Sequence, residues 1–232
     1  MDSAALILAL DVKKRREALD LLNRLGSSLN WVKIGLGLFS RCGPSIVEEI
    51  AALGYRIFLD LKLHDIPNTV AAAIESLGAY PIELLTLHSA GGSEMLRWAV
   101  EARNRYAKKT KLLGVTVLTS LDATALGATG IQEAPSVQVK RLAKLALQSG
   151  LDGLVCSANE LNLLRTHWGP SPLLVTPGIR PSGVAADEQK RTATPAEAVR
   201  NGATHLVVGR PILAASDPLS ALASISREIR EC

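Results

Sequence analysis

The chain has 232 residues, 47% of them hydrophobic and 21% charged, with a net charge of +4. That balance belongs to an ordinary soluble globular protein long enough to bury a sizeable core. Aromatic residues make up only 3%, which leaves little for a base-stacking platform, and no nucleic-acid partner is expected.

Three cysteines, Cys42, Cys156 and Cys232, stand far apart with no C-x-x-C between them, so neither a disulfide framework nor a zinc site is expected. A reducing, cytoplasmic compartment is the expectation. No apolar run approaches membrane-spanning length, and no membrane partner is expected. KKRR at 13–16 is the densest basic cluster and reads as a solvated helix start.

Eight apolar, β-type runs follow one another along the chain: Ala5–Val12, Trp31–Leu36, Ile57–Leu63, Leu84–Ser89, Leu112–Thr119, Gly153–Ala158, Leu173–Ile179 and His205–Gly209. Between them apolar residues recur at helical spacing in Arg15–Leu25, Ser45–Leu53, Thr69–Ala79, Glu94–Tyr106, Ser136–Gln148, Glu160–His167 and Pro195–Asn201, and Pro218–Glu231 closes the chain. Gly26, Gly54, Gly150, Gly169 and Gly202 sit where helices should end. Strand–helix alternation implies parallel strands with helices outside, and eight units in this length fit a single-domain (β/α)8 TIM barrel, an α/β fold, spanning 1–232. A doubly wound open sheet is the alternative, but LDVKKRREA after the first strand has no G-x-G-x-x-G.

The third run, FLDLKLHDIPNT from Phe58 to Thr69, carries the densest chemistry. Alternation puts Asp60 and Lys62 on one face of a strand and Leu59, Leu61 and Leu63 on the other. Asp65 follows at once, and Pro67, Asn68 and Thr69 open a helix. Buried charge is costly unless paired, so a D-x-K-x-x-D element at a strand end is either exposed or used. The other strand ends add Asp11, Lys33, His88, Thr119 and Ser120. In a barrel these gather at one mouth, where active sites lie.

The last two strands end in TPGIR (Thr176–Arg180) and VGRPI (Val208–Ile212). Glycine lets backbone N–H groups approach an anion and arginine offers a donor fork, so Arg180, Gly209 and Arg210 are expected to hold a phosphate. The polar stretch 183–193 between them is long enough to close over a ligand. His64 is expected in a hydrogen-bonded structural role and His88 behind the site.

Taken together, LALD, DLKLHDIPNT, TPGIRP, DEQKR and VVGRPI, in this order from Asp11 to Arg210, resemble the orotidine 5′-phosphate decarboxylase family of the compact bacterial type. The resemblance implies decarboxylation of orotidine 5′-phosphate to UMP and CO2 in pyrimidine biosynthesis, without cofactor or metal. Lys62 would protonate C6, Asp60 would sit beside the departing carboxylate, and Lys33 would pair with the aspartates and contact the ribose. Asp65, with Ile66 and Thr69, would reach the site of a partner subunit in a homodimer. Asp11 and Thr69 would hold ribose hydroxyls, Thr119 and Ser120 the pyrimidine edge, and Gln189, Gly209 and Arg210 the phosphate, with Arg180 nearby. Two rival readings are a metal-dependent sugar-phosphate aldolase or decarboxylase of the same superfamily and a phosphometabolite-binding barrel without catalysis.

Overall fold

The computed structural model describes residues 4–181 and 192–231. In chain order these form β1 (Ala5–Ala9), α1 (Arg15–Leu25), β2 (Trp31–Gly35), α2 (Leu36–Cys42), α3 (Ser45–Ala52), β3 (Arg56–Leu63), α4 (Pro67–Leu77), β4 (Ile82–His88), α5 (Gly92–Tyr106) and β5 (Lys111–Val115). Then come α6 (Ala123–Ala128), α7 (Pro135–Gln148), β6 (Gly153–Val155), α8 (Leu161–Trp168), β7 (Leu173–Thr176), α9 (Pro195–Arg200), β8 (His205–Val208), α10 (Arg210–Leu213) and α11 (Pro218–Arg230). The strands close into a parallel barrel in sequence order, with β1 paired to both β2 and β8. The expected (β/α)8 architecture is therefore present.

The core divides by strand parity. Ile7, Ala9, Trp31, Phe58, Leu84, Leu113, Val175 and Val207 point inward and fill the barrel. Their chain neighbours, among them Leu8, Val32, Ile57, Leu59, Leu85 and Leu206, pack outward against the helices. Asp60 follows Phe58 by two residues, Lys33 follows Trp31 by two, and Thr86 follows Leu84 by two, so all three continue the inward rows toward the C-terminal mouth.

Several ladders stop short of the runs that predicted them. β1 ends at Ala9, β5 at Val115 and β6 at Val155, so Asp11, Thr119 and Ser120 sit on loops rather than on strand ends. Apolarity marks burial, and Val117 is buried beyond the last rung; it does not mark where ladder hydrogen bonds stop. α2, α6 and α10 have seven, six and four residues, too short to show an apolar stripe. α4 starts at Pro67, two residues before the expected Thr69, with proline at the first helical turn. The five glycines expected at helix ends all have positive φ.

Candidate active site

Asp60 is the centre of the site. It is 8% exposed, and both its carboxylate oxygens accept from Lys62 Nζ at 2.8 Å. Lys33, 9% exposed, places Nζ 3.5 Å from Asp60 Oδ2 and 3.2 Å from Asp11 Oδ1. The order Asp11–Lys33–Asp60–Lys62 is thus one alternating row of charge drawn from the loop after β1 and from β2 and β3. Burial alone would push the Asp60 carboxyl upward. Lys33, Lys62 and the hydroxyl of Thr86 outweigh it and hold the carboxyl below its ordinary value. Asp60 is therefore an anion at neutral pH, and its two ammonium partners are held in place by it.

Lys62 reaches this position by leaving regular strand geometry. Its φ is 52°, the one positive φ among the described non-glycine residues. In the β3–β4 pairing Leu59 lies opposite Leu85 and Leu63 opposite Leu87, so β3 spends four residue steps where β4 spends two. This bulge re-aims the lysine. The expected division of faces holds for the leucines, since Leu59, Leu61 and Leu63 belong to the outer core. Alternation alone, however, does not place Lys62.

The network opens into a cavity of about 870 Å³ at the C-terminal mouth. Asp11, Lys33, Asp60, Lys62, Thr119, Ser120, Arg180, Gly209 and Arg210 all line it. The residues drawn from scattered sequence positions are brought together, with the charge row on one side and the β7 and β8 ends on the other. Arg180 is buried, and its Nη1 donates to Ile179 O at 2.9 Å. Gly209 packs against β1: a Cβ there would lie 3.3 Å from Ala9 Cβ. Pro211 enters α10 in its first turn.

Asp65, Ile66 and Thr69 do not line this cavity. Asp65 and Ile66 lie on the turn into α4 and Thr69 in its first helical turn, and all three are exposed; Asp65 Oδ1 accepts the Ile66 backbone N–H at 2.6 Å, and Ile66 is 66% exposed. Within one chain, Asp65 therefore stays outside the charge row. Gln189 and nearly all of the stretch 183–193 lie outside the described residues. Ala193 itself bridges to Ile179, with Arg180 N donating to Ala193 O at 2.9 Å.

One histidine differs from expectation. His64 is exposed and makes no hydrogen bond among the described residues; its ring instead lies against His88, with centroids 5.2 Å apart. A histidine on a strand-to-turn junction leaves no sequence signal to separate stacking from hydrogen bonding. Burial, then His64 and Lys62, hold the His88 imidazole below its ordinary pKa, so it is neutral at pH 7. Among the described residues no three His, Cys, Asp or Glu side chains are grouped to hold a metal ion, and no helix is long and apolar enough to cross a membrane.

Sequence reasoning missed two residues that shape the site. Thr86, fully buried on β4, donates to Asp60 Oδ1 at 3.0 Å and accepts the Lys62 backbone N–H at 2.9 Å. Gly35 lies beside Asp60 in the β2–β3 register and directly beneath the Lys33 head, where a Cβ would meet Nζ at 2.8 Å. Both sit on inward parity two residues from a marked position, which is the signal that could have found them.

Known proteins resemble this chain over nearly its whole length. Residues 4–225 match the family described as Orotidine 5′-phosphate decarboxylase / HUMPS. The chain is 52% identical over 225 residues to the orotidine 5′-phosphate decarboxylase of Opitutus terrae, covering 97% of this chain and 98% of that protein. It is 48% identical over 226 residues to the enzyme of that name from Chromohalobacter salexigens, covering 97% and 96%. The crystal structure of orotidine 5′-phosphate decarboxylase from Lactobacillus acidophilus superimposes with a TM-score of 0.86 at 38% identity, covering 98% of this chain and 99% of that one. The chain belongs to the orotidine 5′-phosphate decarboxylase / HUMPS family.

Proposed function

We propose that this protein decarboxylates orotidine 5′-phosphate to UMP and CO2 as a step of pyrimidine-nucleotide synthesis, using no metal or organic cofactor. The observation that carries this reading is the buried Asp60 carboxylate with Lys62 Nζ 2.8 Å from both its oxygens, in the cavity that also holds Arg180, Gly209 and Arg210.

The reaction explains the arrangement. When the C6–carboxylate bond breaks, CO2 departs and the electron pair stays on C6 in an in-plane orbital with no carbonyl to delocalise it. A fixed ammonium is the group that such a charge needs. Lys62 lies near the developing carbanion, stabilises it, and then gives its proton to C6; the neutral amine regains a proton from solvent. Asp60 holds Lys62 oriented, and its own charge lies against the departing carboxylate. Lys33 offsets part of that repulsion and, with Asp11, meets the ribose. Thr119 and Ser120 hold the pyrimidine edge. Gln189, Gly209 and Arg210, with Arg180 nearby, hold the phosphate, whose binding energy is then available to the transition state.

The working enzyme is a homodimer on this reading, with Asp65, Ile66 and Thr69 completing the partner's site. Their outward position at the start of α4 and the 66% exposure of Ile66 support it. The chain acts as one catalytic domain, in keeping with a family match that spans residues 4–225. Free Cys42 and Cys156 suit the cytoplasm.

The test is the ultraviolet absorbance of orotidine 5′-phosphate mixed with purified protein, with and without EDTA. Loss of substrate to UMP in both arms is the expected result. Turnover abolished by EDTA, or absent from folded protein, would instead favour the metal-dependent sugar-phosphate reactions.

A further inference from the structure

We propose that Thr86 is a positioning residue for the Asp60–Lys62 pair, its single hydroxyl fixing both the carboxylate and the backbone that carries the ammonium. The inference rests on the decarboxylase reading for its kinetic consequence and on the structure alone for its geometry.

Thr86 sits between Leu85 and Leu87, opposite the stretch where β3 inserts its extra residues. The bulge takes the Lys62 N–H out of the regular ladder, and Thr86 Oγ1 accepts it at 2.9 Å. The same oxygen's proton goes to Asp60 Oδ1 at 3.0 Å. One donor and one acceptor are thereby satisfied at a position with no solvent exposure. Lys62 holds φ of 52° in this arrangement, a conformation that a residue with a side chain keeps only when its surroundings impose it. The hydroxyl is the group that does so from the neighbouring strand. It also counts among the influences that keep Asp60 ionised, after the two lysines.

Thr86 does not line the mouth cavity, so its loss should leave ligand binding largely intact while disturbing the reacting pair. Valine has nearly the same shape and no hydroxyl. In Thr86→Val, Asp60 loses a donor, the Lys62 N–H loses its acceptor, and the ammonium shifts relative to the carboxylate. Removing a donor from a carboxylate raises its pKa, so the Asp60 titration should move up toward the ordinary value.

The experiment compares Thr86→Val and Thr86→Ser in the full-length protein. Three quantities are read: kcat on orotidine 5′-phosphate, affinity for UMP, and the titration of the Asp60 carboxyl followed by carbon-13 NMR. A displacement of this kind should lower kcat by about 10- to 100-fold in the valine variant. UMP affinity should stay within about 3-fold, because a positioning loss falls on the transition state. The serine variant should recover kcat and the Asp60 titration, even with a lower Tm from the missing methyl. If the valine variant does not fold, Thr86→Ala takes its place. Wild-type kcat with an unmoved Asp60 titration in the hydroxyl-free variant would overturn the proposal, as would a serine variant as impaired as the valine one. If the wild-type protein does not turn over the substrate, the reaction reading fails, and the Asp60 titration still decides whether Thr86 holds the carboxylate.

Discussion

The Lys33 ammonium stands over the bare α-carbon of Gly35, two residues further along the same strand; a Cβ at that glycine would lie 2.8 Å from Nζ and 3.2 Å from Asp11 Oδ1. Gly35 is also the register partner of Asp60 on β3. The missing side chain is therefore what lets a buried lysine rise between two aspartates, one on the loop after β1 and one on β3.

Gly35→Ala should displace the lysine head from both carboxylates without breaking the ladder. Misplacement of a charged group by about an ångström can cost up to ~100-fold in rate, and a fall in kcat/KM of about 10-fold or more is expected here. Steady-state kinetics with a thermal melt would check it. Unchanged kinetics would show that Lys33 has room to spare.

His205 ties stability to pH at the other end of the barrel. It lies edge-on to Trp31 at 5.4 Å, and Arg56 stacks on the same indole at 4.0 Å while pairing with Glu83. Burial, then the Arg56 charge, lowers the His205 pKa from 6.5 to about 4. The unfolded chain binds a proton near pH 6.5 and the folded one only near 4, so stability is full above 6.5 and declines as pH falls through that window. The contribution is at most about 3 kcal/mol. Urea melts at a series of pH values should show His205→Asn losing less stability than wild type between the two. Parallel pH profiles would contradict the assignment.

Mixing inactive variants tests the shared site. If Asp65 serves the partner's cavity and Lys62 its own, a mixed dimer of Lys62→Ala and Asp65→Ala chains keeps one cavity free of both lesions. About half of the mixed dimer's sites would then be sound, so activity should return once subunits exchange. Asp60→Ala mixed with Arg210→Ala should not recover fully, because both residues line the cavity of the same chain. No recovery in the first mixture, with exchange confirmed by mass spectrometry, would count against Asp65 crossing the interface.

The legible part of this fold was its period. Runs of apolar residues alternating with helical stripes are dictated by burial on both faces of a parallel strand, and they predicted all eight strands of the barrel. The charged half of the site was legible for a related reason: Asp60, Lys33 and Lys62 stand out because charge is costly inside a strand. Thr86 and Gly35 gave no such contrast. Threonine is an ordinary strand residue and glycine an ordinary strand end, and their roles arise only from the register that sets them beside Asp60. The bulge at Lys62 was hidden too, because a two-residue insertion keeps the alternation of the leucines intact. The β5 run overshot its ladder through Val117, which is buried above the last rung rather than within it.

The most direct measurement of the central claim is turnover of orotidine 5′-phosphate by Lys62→Ala beside wild type, with UMP affinity measured on both. The wild-type chain should convert substrate to UMP, and the variant should bind UMP but retain less than about a hundredth of the rate, having lost its proton donor. A variant that turns over faster than that would show that the proton comes from elsewhere, and the role assigned to the Asp60–Lys62 pair would fall.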